Sequence, residues 1–537
     1  MHKTTNQEIP DLPRFSPEAR KGDDEKIATA RWLPNDSILK AAKESKPNKM
    51  KSPIALGQMW ESQENHVLYY DDDRHLITVA GSRSGKGVSL IVPNLLQYPG
   101  SVVCIDPKGE NASITAKYRA SLGQKVLILD PFCTIKDREL DQYKIGINPI
   151  SYLNSSQESP VDEASSISDA IVVNDNEKDP HWNESARTFI KGLILYVLSN
   201  SSLDSSLSSV HSLAYSGLDD QSSEPKNRMS NLFSNMQNTQ AFNGTVAAIG
   251  HAMQSLYSSE LSGVLSCARR HLEFLESPGI KRCMSSEGDS EDGIESFWNT
   301  DKEKTIYLVL PEWRIGSHSR WLRLMISVLL RASQDKPTKR EKAHTLFILD
   351  EFAALGHMEN IERAAAYIAG FGVKLWFFLQ DIGQIKSIYR DRWETFIGNS
   401  GALTFFANSD LSTLQYISDK LGEHEIIKNL VSISSQNTLG RTSAGNSRRF
   451  QEAMKGGFSF LFGPDTESKQ ITESFSQNSS VLKVKLLNPD EICKYFSRDN
   501  ETILVLVAGL SPFRLNRIRS YMDEPFLLRA QPNPYHL

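Results

Sequence analysis

The 537-residue chain is 39% hydrophobic and 23% charged, with a formal net charge of −5 at pH 7. Its length exceeds one ordinary core and predicts two or three domains, or a large α/β unit carrying an inserted domain. The balance is too acidic for the global basic field of many nucleic-acid binders, so any DNA contact must come from local patches or a channel in an assembly.

The cysteines Cys104, Cys133, Cys267, Cys283 and Cys493 form no C-x-x-C pair, which argues against a disulfide framework or a zinc knuckle. A membrane-spanning helix needs about 20 apolar residues, and runs such as "GLILYVL" and "TILVLVAGL" fall far short. The opening residues contain no apolar signal-peptide core, so a soluble, cytoplasmic chain is expected.

Residues 1–50 are polar and mixed in charge and read as an arm. From residue 74 short apolar runs follow: "HLITVA", "SVVCID", "KVLILD", "TIYLVLP", "TLFILDE", "KLWFFLQD", "ALTFFAN" and "TILVLVAG". Such continuous runs predict strands buried on both faces of a parallel sheet, and the helical stretches between them predict a βαβ fold. The α/β unit is assigned to residues 51–178 and 277–525. Residues 179–276 carry helical spacing without a strand signal and read as an inserted all-α domain. Residues 432–480 are rich in Ser, Asn, Gly and Thr and read as a polar loop excursion. Residues 526–537 form a tail.

After the first apolar run comes "VAGSRSGKGVS", residues 79–89, close to the phosphate-binding pattern G-x-x-x-x-G-K-[ST]. Ala80 replaces the first glycine and Gly87 the final hydroxyl. A strand running into glycines before a helix points backbone N–H groups at one spot, as a polyphosphate requires. The predicted cradle is Gly81, Ser82, Arg83, Ser84, Gly85, Lys86, Gly87 and Val88, with Lys86 on the β and γ phosphates of ATP. Ser84, Ser89 or a water could fill the metal position lost at Gly87, and Ser89 is the residue named as a Mg²⁺ ligand. Pro93 is expected to kink or shorten the helix. "CIDPKGENAS" places Asp106, Lys108 and Glu110 after the second run, as nucleotide contacts or as a structural turn.

In "HTLFILDEFAALG", Asp350 and Glu351 end a strand at the edge where parallel sheets place ligands. Asp350 would hold Mg²⁺ through water and Glu351 would polarise the attacking water; a helix cap is the structural alternative. Gln380, ending "KLWFFLQ", could contact both the γ-phosphate and that water.

These stretches resemble the type IV coupling proteins (TraG/TraD family) of conjugation and type IV secretion. The family pattern of SGKG, then V-x-x-x-x-P-x-L-L, YPGS and D-x-KGEN is matched by "SGKGVSLIVPNLLQYPGSVVCIDPKGEN". "INPI", "DPHWNESAR", "LDEFAALG", "GVKLWFFLQD", "YRDRWETF" and "LVLVAGLSPFRLNRIRSY" also match, from about residue 28 to about residue 524. The resemblance implies a RecA-like P-loop ATPase with an inserted all-α domain that recruits substrates. It implies a homo-hexamer that hydrolyses ATP with Mg²⁺ and delivers relaxase-bound single-stranded DNA, or protein effectors, to a secretion channel.

Relatives usually begin with transmembrane helices. Their lack here leads to the expectation of a soluble variant, peripheral at the inner membrane through an anchored partner. A neighbour's arginine would act in trans, with Arg363, Arg390 and Arg392 as candidates. "SRRF" at Arg448 and Arg449, and "RLNRIRS" at Arg517, are candidate pore linings or solvated surface. The alternatives are an FtsK/HerA-type double-strand translocase and a non-hydrolysing recruitment platform.

Overall fold

The computed structural model describes residues 30–62, 64–154, 160–173, 180–217, 228–285, 302–335, 338, 341–440 and 468–534. These fall into two compact units, one holding described residues 32–418 and 487–534 and the other holding 30–31 and 419–486. Residues 1–29 of the expected arm, Arg448 and Arg449 lie outside the described residues.

The large unit is built on strands β1 (Ile54–Glu61), β2 (Glu64–Tyr70), β3 (His75–Ala80), β4 (Val102–Asp106), β5 (Lys125–Leu129), β6 (Lys304–Val309), β7 (Thr345–Leu349), β8 (Val373–Leu379) and β9 (Ser400–Phe406). In the smaller unit, β10 (Glu423–Gly440) pairs antiparallel with β11 (Ser468–Lys485). This ladder stands at both ends of the stretch read as a polar loop excursion. The chain then returns to the large unit with β12 (Thr502–Val507) and β13 (Phe513–Asn516).

The large sheet has the order β2-β1-β13-β12-β9-β3-β8-β7-β4-β6-β5. From β9 to β5 every pairing is parallel, and the remaining strands pair antiparallel. The eight apolar runs are all strands of this sheet, and β3, β4, β7, β8 and β9 are buried along their whole length. Two polar links cross the sheet centre: Trp376 Nε1 donates to Thr78 Oγ1 at 2.9 Å, and the Thr78 and Thr404 hydroxyls bond at 2.7 Å.

The arm contains a folded element. Helix Asn35–Glu44 buries Ile38 and Ala42, and Ile38 joins the main core. Its apolar residues recur at helical spacing, which the surrounding lysines and prolines obscure.

Residues 181–272 form helices His181–Ser199, Leu207–Ser216, Arg228–Gln237, Thr245–Ser255 and Ser258–Leu272, with no strand among the described residues. They belong to the large compact unit. Their interior includes Phe189, Leu193, Phe233 and Leu272, each essentially solvent-free. Asn183, from "DPHWNESAR", accepts from His271 Nε2 at 3.0 Å and from Cys267 Sγ at 3.2 Å. Burial pushes His271 down to about 3, so its ring is neutral.

Arg119 is fully buried. It donates to Thr305 Oγ1 and to the carbonyls of Leu95, Tyr98 and Gly100 at 2.7–3.0 Å. The cation thus ties three carbonyls of the "LLQYPG" turn to β6, and burial lowers it to about 10.

Candidate active site

Strand β3 ends at Ala80 and the loop turns at Gly81. A Cβ on Gly81 would lie 2.2 Å from the Ala407 carbonyl oxygen, so the glycine is needed one position later than in the general motif. Arg83 and Gly85 then take positive φ of 55° and 87°, and Ser84 N–H closes the turn on the Gly81 carbonyl at 3.2 Å.

The helix opens at Gly87, in π geometry to Ile91 and α geometry from Val92 to Leu95. Pro93 explains the shift. The Val92 N–H reaches back to the Gly87 carbonyl, and the next π partner, for Val88, would be the nitrogen of Pro93, which has no hydrogen. The Ser520 N–H supplies the bond to the Val88 carbonyl instead, at 3.3 Å. Asn94 completes the anchorage, accepting from Ala55 N–H at 2.8 Å and donating to the Ala55 and Leu90 carbonyls.

The three sequence signals converge. Lys86 Nζ forms an ion pair with Asp350 Oδ1 at 3.0 Å and another with Glu351 Oε1. Gln380 Nε2 donates to Glu351 Oε2 at 3.0 Å. Ser82 Oγ donates to Gln380 Oε1 at 3.1 Å, closing the network onto the loop. Glu351 sits in the left-handed region at φ 52°, a conformation that costs about 1–3 kcal/mol and is tolerated where a site demands it.

Burial pulls the Lys86 ammonium down, yet the Asp350 and Glu351 carboxylates more than offset it and hold it above the ordinary lysine range. Burial raises the Asp350 carboxyl against the opposing Lys86 charge. Asp106, one strand over, is pushed up to about 7 by burial, and the Asp350 charge adds to the rise. Its Oδ2 accepts from Ala112 N–H at 2.8 Å, so this carboxyl holds the turn into helix Glu110–Ser121. Lys108 faces Glu312 at 3.9 Å, in solvent.

On the other side of the loop lies a cavity of about 840 Å³, walled in part by Arg83, Val88, Ser89, Arg519, Tyr521 and Asn533. Arg517 stands beneath the loop, 8% exposed. It donates to the Ser84 carbonyl and, through its other terminal nitrogen, to the Arg498 carbonyl. Its guanidinium stacks 5.3 Å from the Phe406 ring centre. The sequence reading of Arg517 as pore lining or surface is corrected: the side chain is buried under the 81–86 turn. Nothing in "RLNRIRS" separates this arginine from the half-buried Arg514 and Arg519 beside it.

The trans-acting candidates stand elsewhere. Arg363 pairs with Glu359, and Arg392 Nε pairs with Glu362 at 2.9 Å, both with mostly exposed side chains. Arg390 takes φ 47° at the end of helix Ile382–Tyr389.

The residues present fit a nucleotide with a divalent cation. Ser84 Oγ is buried with no hydrogen-bond partner, and no atom lies within 4 Å of a Cβ built on Gly87. Hard carboxylate oxygens stand across from the loop at Asp350 and Glu351, the donor type Mg²⁺ takes.

A model of the family described as type IV secretory system conjugative DNA transfer matches residues 20–454. The chain belongs to this conjugative DNA-transfer family. The conjugal transfer protein TraG of Escherichia coli is 27% identical over 421 residues, covering 74% of this chain and 62% of that protein. Protein VirD4 of Agrobacterium fabrum is 24% identical, covering 92% and 66%. The chain thus spans roughly two thirds of the length of these conjugative DNA-transfer relatives.

Among solved structures, the bacterial conjugative coupling protein TrwBdeltaN70 in complex with sulphate superposes with a TM-score of 0.61 at 15% identity, covering 93% of this chain and 96% of that one. The plasmid coupling protein TrwB in complex with ADP and Mg²⁺ gives 0.60 at 14% identity over the same shares. The fold is therefore the RecA-like α/β fold with a mostly parallel central sheet. No helix among the described residues is long and apolar enough to cross a membrane.

Proposed function

We propose that this chain is an ATP-driven coupling motor that recruits DNA, as a relaxase-bound single strand, or protein substrates and delivers them to a type IV secretion channel. The observation that carries this reading is the closed contact between Lys86, Glu351 and Gln380, which puts a phosphate-binding cation, a base and an amide within one hydrogen-bonded network. A recruitment platform without turnover has no use for that combination.

ATP would lie with its phosphates along residues 81–88 and its nucleoside in the cavity beyond Val88 and Ser89. Lys86 would exchange its carboxylate partners for the β and γ phosphates, a charge-for-charge replacement. Asp350 would hold Mg²⁺ through water, and Ser84 and Ser89 are the hydroxyls nearest the position lost at Gly87. When bound, Mg²⁺ neutralises the phosphate charge that develops during transfer.

Glu351 would accept a proton from the attacking water. Gln380, fixed from behind by Gln384 Oε1 on its N–H at 2.9 Å, would orient that water and report the γ-phosphate. A homo-hexamer supplies the arginine of a neighbour, with Arg363, Arg390 and Arg392 as candidates. The helices of 179–276 would recruit cargo, and the ring would work at the cytoplasmic face of the inner membrane with secretion components and a membrane-anchored partner.

The test is DNA-stimulated ATP hydrolysis by the full chain. Lys86→Ala and Glu351→Gln should each abolish it; a variant retaining turnover would sink the reading. Single strands outcompeting duplex would set the motor apart from a double-strand translocase.

A further inference from the structure

On the same edge of the sheet, at the β4-β6-β5 flank, half-buried aromatic and cationic side chains stack beneath one exposed ring. Trp313, just after β6, is 73% exposed. The Arg314 guanidinium carbon lies 4.5 Å from the Trp313 ring centre and 5.1 Å from that of Phe132. Arg314 is thus sandwiched between two rings, and its Nε has no hydrogen-bond partner. His318 meets Phe132 edge-on at 5.0 Å and 81°, and burial, with the Arg314 charge, holds its imidazole below the ordinary histidine value.

The turn that presents Phe132 is rigid. Asp130 accepts from Thr134 N–H at 2.8 Å and Ile135 N–H at 2.9 Å, and the Gly279 position is pressed so close to Pro131 that a Cβ would sit 1.9 Å from its carbonyl oxygen. Exposed cations rim the stack. Lys136 Nζ donates to the Cys133 carbonyl at 2.7 Å. Arg282 reaches the Pro131 carbonyl at 3.4 Å and Cys133 Sγ at 3.6 Å. Lys108 is opposed by Glu312 at 3.9 Å. The four cations Lys108, Lys136, Arg282 and Arg314 outnumber the three carboxylates Glu312, Glu273 near His318 and the buried Asp130 of the same turn, so the patch is positive.

We propose that Trp313, backed by Arg314, is a stacking platform for an unpaired base of single-stranded nucleic acid, with Lys108, Lys136 and Arg282 on the flanking phosphates. An exposed ring offers a face that any base can cover, and a guanidinium behind it keeps that face fixed. The rim charge suits a polyanion better than a second copy of this acidic chain, whose net charge is −5. Strand β6, which leads into the platform, is two strands from β7, about 10 Å across the sheet, so the nucleic acid would pass on the same flank as the site that drives it. This inference rests on the single-strand cargo of the proposed function.

The experiment compares fluorescence anisotropy of labelled oligothymidylate with that of an abasic strand of equal length. The full chain would be used as parent, Trp313→Ala and Trp313→Phe, with a fluorescent ATP analogue as the check on folding. Trp313→Ala should weaken oligothymidylate binding by about 5- to 100-fold, Trp313→Phe should restore most of it, and abasic affinity and nucleotide affinity should not move. Equal oligothymidylate affinity in parent and Trp313→Ala overturns the platform, as does an equal loss on both strands. Sedimentation showing that Trp313→Ala dissociates the assembly, with no base-dependent loss, makes the face a contact between copies instead. If the parent binds neither strand, the cargo reading itself falls.

Discussion

Gln380 donates its amide hydrogen to Glu351 across 3.0 Å, which fixes the carboxylate proposed as the base and leaves its other oxygen to Lys86. Gln380→Ala should lower ATP turnover by about 10²- to 10⁴-fold, the range for loss of a positioned acid–base partner. Gln380→Glu should be worse than Gln380→Ala, because a second carboxylate would face Glu351 without an N–H between them. Phosphate release read beside fluorescent-nucleotide affinity separates the two, since binding should survive Gln380→Ala. Equal rates for the parent and Gln380→Ala would refute the assignment.

Two glycines of the loop predict opposite behaviour. Gly81→Ala drives a methyl to 2.2 Å from the Ala407 carbonyl, so nucleotide affinity should collapse and the melting temperature should fall. Gly87→Ala meets open space at a helix start and should stabilise by about 0.5–1 kcal/mol through lower unfolded-state entropy. Calorimetry and nucleotide titration on both variants check this, and a Gly81→Ala protein that binds like the parent would refute it.

Asp106 gives a pH signature. Burial raises its folded pKa to about 7, above the ordinary aspartate range, so the fold favours the protonated carboxyl. That contribution is complete below about pH 4 and is lost as pH rises through 7. Asp106→Asn, which keeps the acceptor for Ala112 N–H, should therefore match the parent near pH 4. By pH 8 it should be more stable by roughly 2–4 kcal/mol. Urea unfolding of parent and variant across that window measures the difference; a gap independent of pH contradicts it.

Arg517 connects the Ser84 carbonyl to the Arg498 carbonyl from below the loop. Arg517→Lys cannot span both with one ammonium and should weaken nucleotide binding by about tenfold, the value of one lost hydrogen bond to a charged group. Arg517→Met, which keeps the volume against Phe406, should weaken it at least as much while remaining folded by circular dichroism. Parent-like affinity in both variants would remove Arg517 from the site.

The centre of the fold was legible because β3, β4, β7, β8 and β9 are buried on both faces and their sequences are unbroken apolar runs. Strand β1 was not, because Gln58 interrupts it. That side chain is buried and donates to Asp523 Oδ2 at 2.6 Å and to the Arg517 carbonyl, partners more than 450 residues away. Strands β10 and β11 were not legible either, because their few apolar residues are scattered among Ser, Asn, Gln and Thr across 432–480, a composition that reads as loop. In the site, Lys86, Asp350, Glu351 and Gln380 were legible because each ends a recognisable strand or turn. The cavity wall around Arg519 and Tyr521 was not, since it is made by a segment whose local pattern gives no sign that it doubles back.

The bond from Ser520 to Val88 bears on how the protein is made. A nascent chain emerging only as far as Gln380 already holds residues 81–88, Asp350, Glu351 and Gln380. It still lacks the strand pair β12–β13, Arg517 beneath the loop, and the cavity wall at Arg519 and Tyr521. High nucleotide affinity should therefore arise late in synthesis, when the final segment docks, so that a chain cut short before that point would be poorly equipped to consume ATP.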